Sequence, residues 1–165
     1  MTRRLRVVTV CMGNICRSPT AEVVLREKLA AAGLADRVEV DSAGTLGAHA
    51  GEPPDRRSQA AAQRRGYDLS ALRARRLERE DAEADLVLVM DRGNLRKATQ
   101  VVGEHAGLSL FLGDGEVPDP YGGGADGFER VLDLIERGAD EWVGRIRELL
   151  AESGDGKAPP VGSGT

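Results

Sequence analysis

The residues in this sequence best suited to chemistry on an anion lie in one eight-residue segment, Cys11–Ser18. It begins with a cysteine, continues through Gly13 and Asn14, and ends with Arg17 and Ser18. A cysteine thiolate is a nucleophile, and an arginine guanidinium offers a planar pair of donors to two oxygens of a phosphate or arsenate. The segment therefore predicts a site where a sulfur nucleophile meets a bound tetrahedral oxyanion.

The backbone of this segment, which we call the phosphate loop, can itself bind the anion. Successive N–H groups between a strand and a helix N-terminus can point into one cavity, where the helix dipole attracts negative charge. Gly13 has no side chain to obstruct a phosphate, and Asn14 tolerates left-handed backbone angles. This setting stabilises the thiolate of Cys11, and Ser18 Oγ can donate to the sulfur. We expect the anion to be surrounded by Met12, Gly13, Asn14, Ile15, Cys16 and Ser18.

A second segment, Val117–Gly122, could supply the proton that phosphoryl transfer needs at the departing oxygen. Asp119 lies there between Pro118 and Pro120, which stiffen the backbone around its carboxyl group. An ordinary Asp-Pro turn has the same local sequence, so this motif gains meaning only beside the phosphate loop. Together the two segments predict a cysteine nucleophile with Asp119 as its general acid.

Strands and helices alternate around these motifs. The hydrophobic pattern predicts an α/β fold: a single domain with a four-stranded parallel sheet and helices on both faces, a Rossmann-like three-layer sandwich. Ligands of such sheets bind beyond the carboxyl ends of the strands, where Cys11 is expected. The predicted strands cover residues 5–10, 38–40, 86–90 and 108–112, and the predicted helices cover residues 18–32, 55–65, 91–102 and 126–150.

The segments between these elements carry further expectations. Ser18 followed by Pro19 is typical of a helix N-cap and first turn. The glycines and prolines of 42–54 predict a loop, at a length where loops tend to be functional. The basic run 73–76 is interpreted as a solvated helix face, because acidic residues surround it. We assign residues 1–151 to the catalytic domain and 152–165 to a disordered tail.

Composition narrows the class of protein. A chain of 165 residues suits one domain, and its net charge of -4 argues against nucleic-acid binding and against a polybasic membrane anchor. Two cysteines are too few for a secreted disulfide scaffold. The sequence shows neither a signal peptide nor an apolar run of about 18 residues, so we expect a cytoplasmic protein without membrane partners. A monomer is expected.

The run Cys11–Glu22, CMGNICRSPTAE, resembles the signature of the low-molecular-weight protein tyrosine phosphatases. Asp119–Tyr121 resembles that family's acid loop, near the C-terminal end of the domain. Further segments are similar to the family at 42–45, 53–55 and 90–95. The resemblance extends over about residues 5–150, and its first motif is highly specific.

This resemblance implies a four-stranded parallel sheet and a two-step mechanism without metal or cofactor. Cys11 would attack phosphorus, Arg17 would hold the transferring group, and Asp119 would protonate the phenol and then activate water. Asn14 and Ser42 match residues that brace the phosphate loop. Cys16 matches a cysteine that can pair with the nucleophile under oxidation. The implied partner is a protein substrate carrying phosphotyrosine.

Three positions depart from the family pattern. The loop after Ser42 usually carries an aromatic that flanks the substrate ring, and the matching stretch 46–49 has none apart from His49. Gly122 replaces a second aromatic that often follows Tyr121. Leu72 stands where many members have a histidine that braces the phosphate loop. Tyr121 is thus the expected wall for an aromatic substrate, with His49 as a second candidate.

Other activities share parts of this pattern. A thioredoxin-coupled arsenate reductase needs cysteines beyond Cys16, which are lacking, but a reductase using a small external thiol stays open. A protein-arginine phosphatase is a second alternative, although Ile15 stands where that branch typically has threonine. A phosphate-binding module without turnover would not require Cys11, Arg17 and Asp119 together. A zinc site from Cys11, Cys16, His49 and His105 lacks the paired spacing of such ligands.

Overall fold

Four short runs of mostly aliphatic residues form the sheet in the computed structural model, which describes residues 4–153. β1 covers Leu5–Cys11, β2 covers Val38–Gly44, β3 covers Leu86–Val89 and β4 covers Leu108–Leu110. The strands lie in the order β2-β1-β3-β4, and every neighbouring pair is parallel. The predicted α/β class with a four-stranded parallel sheet is therefore confirmed.

Helices cover both faces of the sheet, because successive side chains of a strand point to opposite sides. The helices are α1 (Arg17–Ala31), α2 (Arg56–Gln63), α3 (Arg92–Val102) and α4 (Ala125–Ser153). Val7 and Leu88 pack with α1 and α4 in the larger core, whereas Val8 and Val87 pack with α3 in a second core. This arrangement leaves the carboxyl ends of β1 and β3 open at one edge, which is where β1 passes into the phosphate loop.

The structure corrects several predicted boundaries. α1 begins at Arg17 rather than after an N-cap at Ser18, because the Ser18 side chain is buried against Cys11 and Asn14. β2 continues through Ser42 to Gly44 along the full length of β1, so the predicted loop begins later. Residues 73–76 form no helix.

Two further differences concern regions with little sequence signal. A short 3-10 helix, Arg79–Glu83, precedes β3 and was not predicted. α4 continues to Ser153, two residues into the predicted tail 152–165, and the rest of that tail lies outside the described residues. Within residues 4–153, no helix is long and apolar enough to cross a membrane.

Candidate active site

A cavity of about 200 Å³ lies at the carboxyl end of β1 and contains the predicted reactive residues. The phosphate loop forms its base, and Asp119 and Tyr121 approach from the distant segment after β4. The structure thus brings together two motifs that are separated by about a hundred residues, as the arrangement of a parallel sheet predicts. Its lining consists of Cys11, Met12, Gly13, Ile15, Cys16, Arg17, Leu46, Ala48, His49, Asp119 and Tyr121.

Cys11 is held by the first turn of α1. Its side chain is buried, and Sγ lies 3.1 Å from Ser18 Oγ. The backbone N–H of Ser18 also donates to Sγ, with a nitrogen–sulfur distance of 3.4 Å. Two donors from the helix N-terminus can therefore stabilise negative charge on this sulfur.

Asn14 holds the middle of the phosphate loop in its curved shape. Its φ is 59°, the left-handed region in which asparagine is tolerated better than most residues. Asn14 Nδ2 donates to Ser18 Oγ at 2.8 Å and to Ser42 Oγ at 3.0 Å. Asn14 Oδ1 accepts from the backbone N–H of Arg75 at 2.9 Å. None of the residues in these contacts lines the catalytic cavity, so they fix the loop without occupying that cavity.

Sequence reasoning gave no role to Glu22, which supports the bracing residue Ser42. Ser42 Oγ donates to Glu22 Oε1 at 2.7 Å, and the Arg26 guanidinium pairs with the other carboxylate oxygen. Burial raises the pKa of Glu22, against the opposing effects of Ser42 and Arg26. The Glu-Arg spacing of four residues on one helix face is the sequence signal that could have indicated this pair.

Arg75 is a second residue whose role the sequence did not reveal. Its guanidinium lies 3.0 Å from an Asp41 carboxylate oxygen and 2.9 Å from one of the buried Asp81. These ion pairs anchor the segment whose backbone N–H reaches Asn14. Leu72, where the resemblance led us to expect a histidine in many members, packs against a small apolar cluster with Leu69. A main-chain donor thus braces the loop from this side.

Gly44 allows β2 to end directly against the phosphate loop. A Cβ at this position would lie 2.8 Å from the carbonyl oxygen of Met12 and 3.1 Å from the backbone nitrogen of Asn14. Any side chain there would push the loop outward, so the position requires glycine for close approach. Backbone hydrogen bonds from Thr45 to Cys11 and from Leu46 to Met12 then hold the two segments together.

Arg17 is almost fully buried, and its guanidinium faces three groups. Nη1 donates to Asp91 Oδ2 at 2.7 Å and to the carbonyl oxygen of Val117 at 2.9 Å. Nη2 lies 3.8 Å from Asp119 Oδ2. The sequence analysis named Asp91 only as part of the segment 90–95, which resembles the family. It lies two residues after the end of β3, at the same edge of the sheet as the phosphate loop. It fixes one side of the guanidinium and leaves the other facing the cavity.

Asp119 and Tyr121 are much more exposed than the phosphate loop. The Asp119 side chain is 46% exposed, and its Oδ1 accepts the backbone N–H of Tyr121 at 3.0 Å. Tyr121 is 51% exposed, with its ring centroid 6.5 Å from that of His49. The carboxyl group can therefore reach the cavity, while Tyr121 and His49 border its mouth.

Arg57 connects the acid loop to α2, a link that the sequence did not indicate. Its guanidinium donates to the carbonyl oxygens of Tyr121 and Gly123 at 2.9 Å and 3.3 Å. Asp55 pairs with Arg57, and the backbone N–H of Asp55 donates to Ile15 in the phosphate loop. Partial burial opposes charge on Asp55, but hydrogen bonds from Arg57 outweigh it and hold its pKa below the usual range.

The second cysteine, Cys16, lies in the wall of the catalytic cavity. Burial raises the pKa of Cys16 to about 12, although a hydrogen bond with Ser58 acts in the opposite direction. Its thiol is thus neutral near pH 7. His105, the remaining residue of the zinc hypothesis, lies before β4, with Nε2 hydrogen-bonded to the carbonyl groups of Ala82 and Ala84.

Comparison with known proteins gives a consistent result. The model of the family "Low molecular weight phosphotyrosine protein phosphatase" matches residues 6–152. A low molecular weight protein-tyrosine-phosphatase of Streptomyces coelicolor is 40% identical, covering 88% of this chain and 95% of its own. The human low molecular weight phosphotyrosine protein phosphatase is also 40% identical, and the match covers 79% of this chain and 89% of the human protein. The crystal structure of YfkJ from Bacillus subtilis is similar to this structure, with a TM-score of 0.83 and 32% sequence identity. The match covers 88% of this chain and 96% of YfkJ.

Proposed function

The chain belongs to the low molecular weight phosphotyrosine protein phosphatase family, and on that premise we propose that it hydrolyses protein phosphotyrosine through a phosphocysteine on Cys11. Family membership makes it a phosphoric monoester hydrolase. The observation that carries the mechanism is the position of Cys11 Sγ, beneath the phosphate loop and within reach of the Ser18 hydroxyl and N–H. A sulfur placed there faces the phosphorus of any phosphate that the loop binds.

In the first step the Cys11 thiolate attacks phosphorus and the bond to the tyrosyl oxygen breaks. The backbone N–H groups of the loop and the free edge of the Arg17 guanidinium stabilise the charge on the equatorial oxygens. Asp119 donates its proton to the departing oxygen, so that tyrosine leaves as a neutral phenol. The products of this step are the dephosphorylated protein, a phosphocysteine and the Asp119 carboxylate.

In the second step water attacks the phosphocysteine. Asp119, now a carboxylate, accepts a proton from this water, and the sulfur–phosphorus bond breaks to release inorganic phosphate. Ser18 Oγ and the Ser18 N–H donate to the sulfur as it regains its negative charge. Cys11 and Asp119 thereby return to their starting states, so the cycle consumes one water and needs no added redox partner.

The shape of the cavity supports an aryl phosphate as substrate. Cys11 is only 3% exposed at the base, whereas Met12, Leu46 and Tyr121 border the mouth and are each at least 42% exposed. A flat ring carried by the phosphate would extend from the buried sulfur to these apolar side chains. The Tyr121 ring provides one wall, and the imidazole of His49 lies next to it.

Parallel assays with three substrates test this proposal. We expect hydrolysis of a phosphotyrosine peptide, no comparable hydrolysis of a phosphoarginine peptide and no arsenate reduction with small thiols. Cys11→Ser should abolish turnover yet still bind inorganic phosphate, since the loop is retained. A faster reaction with phosphoarginine or arsenate, or near wild-type activity of Cys11→Ser, would refute the proposal.

A further inference from the structure

A second cavity, of about 550 Å³, lies beside the catalytic one, between the phosphate loop and α3. We call it the α3 groove. Met12 and Leu46 line both cavities, so together they form a shared ridge between the catalytic cavity and the groove. Beyond this ridge the groove is lined by Arg96, Lys97 and Gln100 of α3. A chain that leaves the catalytic cavity across Met12 and Leu46 therefore enters the groove.

The ridge is apolar and accessible. Met12 is 45% exposed and Leu46 is 42% exposed, and with Tyr121 they make up the exposed large hydrophobic side chains within residues 4–153. All three border the catalytic cavity. Exposed apolar side chains concentrated at one place mark a contact surface rather than the scattered distribution of an ordinary protein surface.

The acidic groups of the groove are already engaged. Asp91 pairs with Arg17 and caps α3 by accepting from the backbone N–H of Asn94. Glu116 accepts from the backbone N–H of Arg92 and lies 3.5 Å from its guanidinium. These carboxylates are neutralised by partners of this chain, so they offer little net negative charge to a ligand.

The basic groups of the groove are in the opposite situation. Arg96 and Lys97 are exposed, and neither forms an ion pair with any residue in the range 4–153. They are neighbours on α3, and both reach the groove. The unbalanced charge of the α3 groove is therefore positive, although the whole chain carries a net charge of -4.

From this combination we propose that the α3 groove binds the segment of the substrate protein that flanks phosphotyrosine, and that it selects carboxylate side chains there. The inference rests on the proposed function, because the phosphotyrosine itself places the flanking residues at the ridge. Met12 and Leu46 contact the apolar parts of the segment, while Arg96 and Lys97 pair with its acidic residues. Exposed ion pairs of this kind add only modestly to the binding free energy, and salt weakens them.

Paired phosphotyrosine peptides test the groove, one with glutamates and one with glutamines on either side of the phosphotyrosine. In wild type we expect kcat/KM to favour the acidic peptide by about three- to tenfold at low ionic strength, as two exposed ion pairs would give. In Arg96→Gln/Lys97→Gln this preference should fall to near unity. Turnover of phenyl phosphate, which has no flanking residues, should stay unchanged in that variant.

Two further variants make the test specific. Arg137→Gln/Arg147→Gln removes the same charge from exposed positions on α4, and it should keep the wild-type preference. Arg96→Glu/Lys97→Glu should reverse the preference toward a peptide flanked by lysines. Equal rates of the acidic and neutral peptides in wild type, or an unchanged preference in Arg96→Gln/Lys97→Gln, would overturn this inference alone. Failure to hydrolyse either peptide would overturn the proposed function and this inference with it.

Discussion

The Arg57 guanidinium donates to the carbonyl oxygen of Tyr121 at 2.9 Å and lies 5.6 Å from the centroid of the Tyr121 ring. One side chain of α2 therefore holds both the backbone and the ring of the residue two positions after Asp119. The same guanidinium lies 4.7 Å from the ring centroid of Phe128, at the start of α4. Arg57 thus fixes the acid loop between two helices, and the position of the Asp119 carboxyl group depends on it.

Arg57→Gln should reduce catalysis by loosening this loop. We expect kcat for phenyl phosphate to fall roughly three- to tenfold, as the loss of a charge-assisted hydrogen bond at a half-exposed site would give. The loss should be smaller for substrates with acidic leaving groups, because these need less protonation. Arg56→Gln, at the neighbouring exposed arginine, is the matched control and should behave as wild type. An equal loss for all leaving groups would assign Arg57 a purely structural role.

Arg17→Lys should be severely impaired although it keeps the positive charge. A lysine ammonium cannot contact Asp91 and the Val117 carbonyl group while also presenting a flat edge to two phosphate oxygens. We expect kcat to drop by about 10²–10³-fold, the usual cost of removing a preorganised oxyanion donor. Steady-state kinetics with phenyl phosphate measure this effect, and unfolding by urea serves as a control for stability. Near wild-type kcat would show that the fork geometry of Arg17 is not needed.

The phosphate loop and the acid loop could be located from the sequence because each is a short contiguous motif. The alternation of strands and helices predicted a parallel sheet, and in such a sheet β1 and β4 end at the same edge. This places Cys11 and the segment before Asp119 together without knowledge of any side-chain contact. The sequence could therefore predict where the site lies, because the reactive residues belong to contiguous motifs and the sheet topology brings these motifs together.

The supporting residues could not be found this way because their partners are distant in the chain. Arg75 reaches Asp41 and contacts Asn14 from 61 positions away, and Arg57 contacts Tyr121 from 64 positions away. A run of arginines with acidic residues nearby is compatible with an exposed helix face, and residues 73–76 were interpreted in that way. Only packing shows that the Arg75 segment is extended against the phosphate loop and that Asp81 is buried beside it.

Glu22 should make stability depend on pH in a defined direction. Burial raises the folded-state pKa of Glu22 above the unfolded value of about 4.3. The contribution of Glu22 to the free energy of unfolding is therefore fully present below that pH, and it is lost as pH rises through the folded-state pKa. Glu22→Gln cannot ionise, so its stability relative to wild type should increase over this window. Urea unfolding of both proteins between about pH 4 and pH 8 measures the difference between their free energies of unfolding. A difference that stays constant, or that changes in the opposite sense, would contradict the prediction.

Peroxide should inactivate the protein reversibly by joining Cys11 to Cys16, both of which are free thiols here. Peroxide oxidises the Cys11 thiolate to a sulfenic acid, and the Cys16 sulfur then displaces its oxygen as water to form the disulfide. Because burial raises the pKa of Cys16 to about 12, this second step should accelerate about tenfold per pH unit near neutrality. Mass spectrometry after a quenched peroxide pulse measures the bridge.

Cys16→Ser provides the control for this redox prediction. Without the second thiol, the Cys11 sulfenic acid should proceed to the sulfinic acid, and a reductant should no longer restore activity. Wild-type protein should recover its activity with dithiothreitol. Detection of sulfinic acid on Cys11 in wild type, with no bridge at any pH tested, would contradict the prediction.

Asp119 should show its role as general acid through the dependence of rate on the leaving group. A phenolate leaves poorly, so its oxygen must gain a proton as the bond to phosphorus breaks, and this help is typically worth about 10²–10⁴-fold. Asp119→Ala should lower kcat within that range for substituted phenyl phosphates with poor leaving groups. The loss should shrink as the leaving group becomes more acidic, because a stable anion needs less protonation.

Two other carboxylates near Asp119 make this experiment decisive. Glu116 is already paired with Arg92, and Asp114 does not line the catalytic cavity, so neither should replace Asp119. Asp114→Asn should therefore keep the wild-type dependence of kcat on leaving-group pKa and serves as the matched control. Steady-state rates across the series of phenyl phosphates give the slope for each variant. If Asp119→Ala has the same slope as wild type, another group protonates the leaving oxygen, and the 3.8 Å approach of Asp119 to Arg17 has only an electrostatic role.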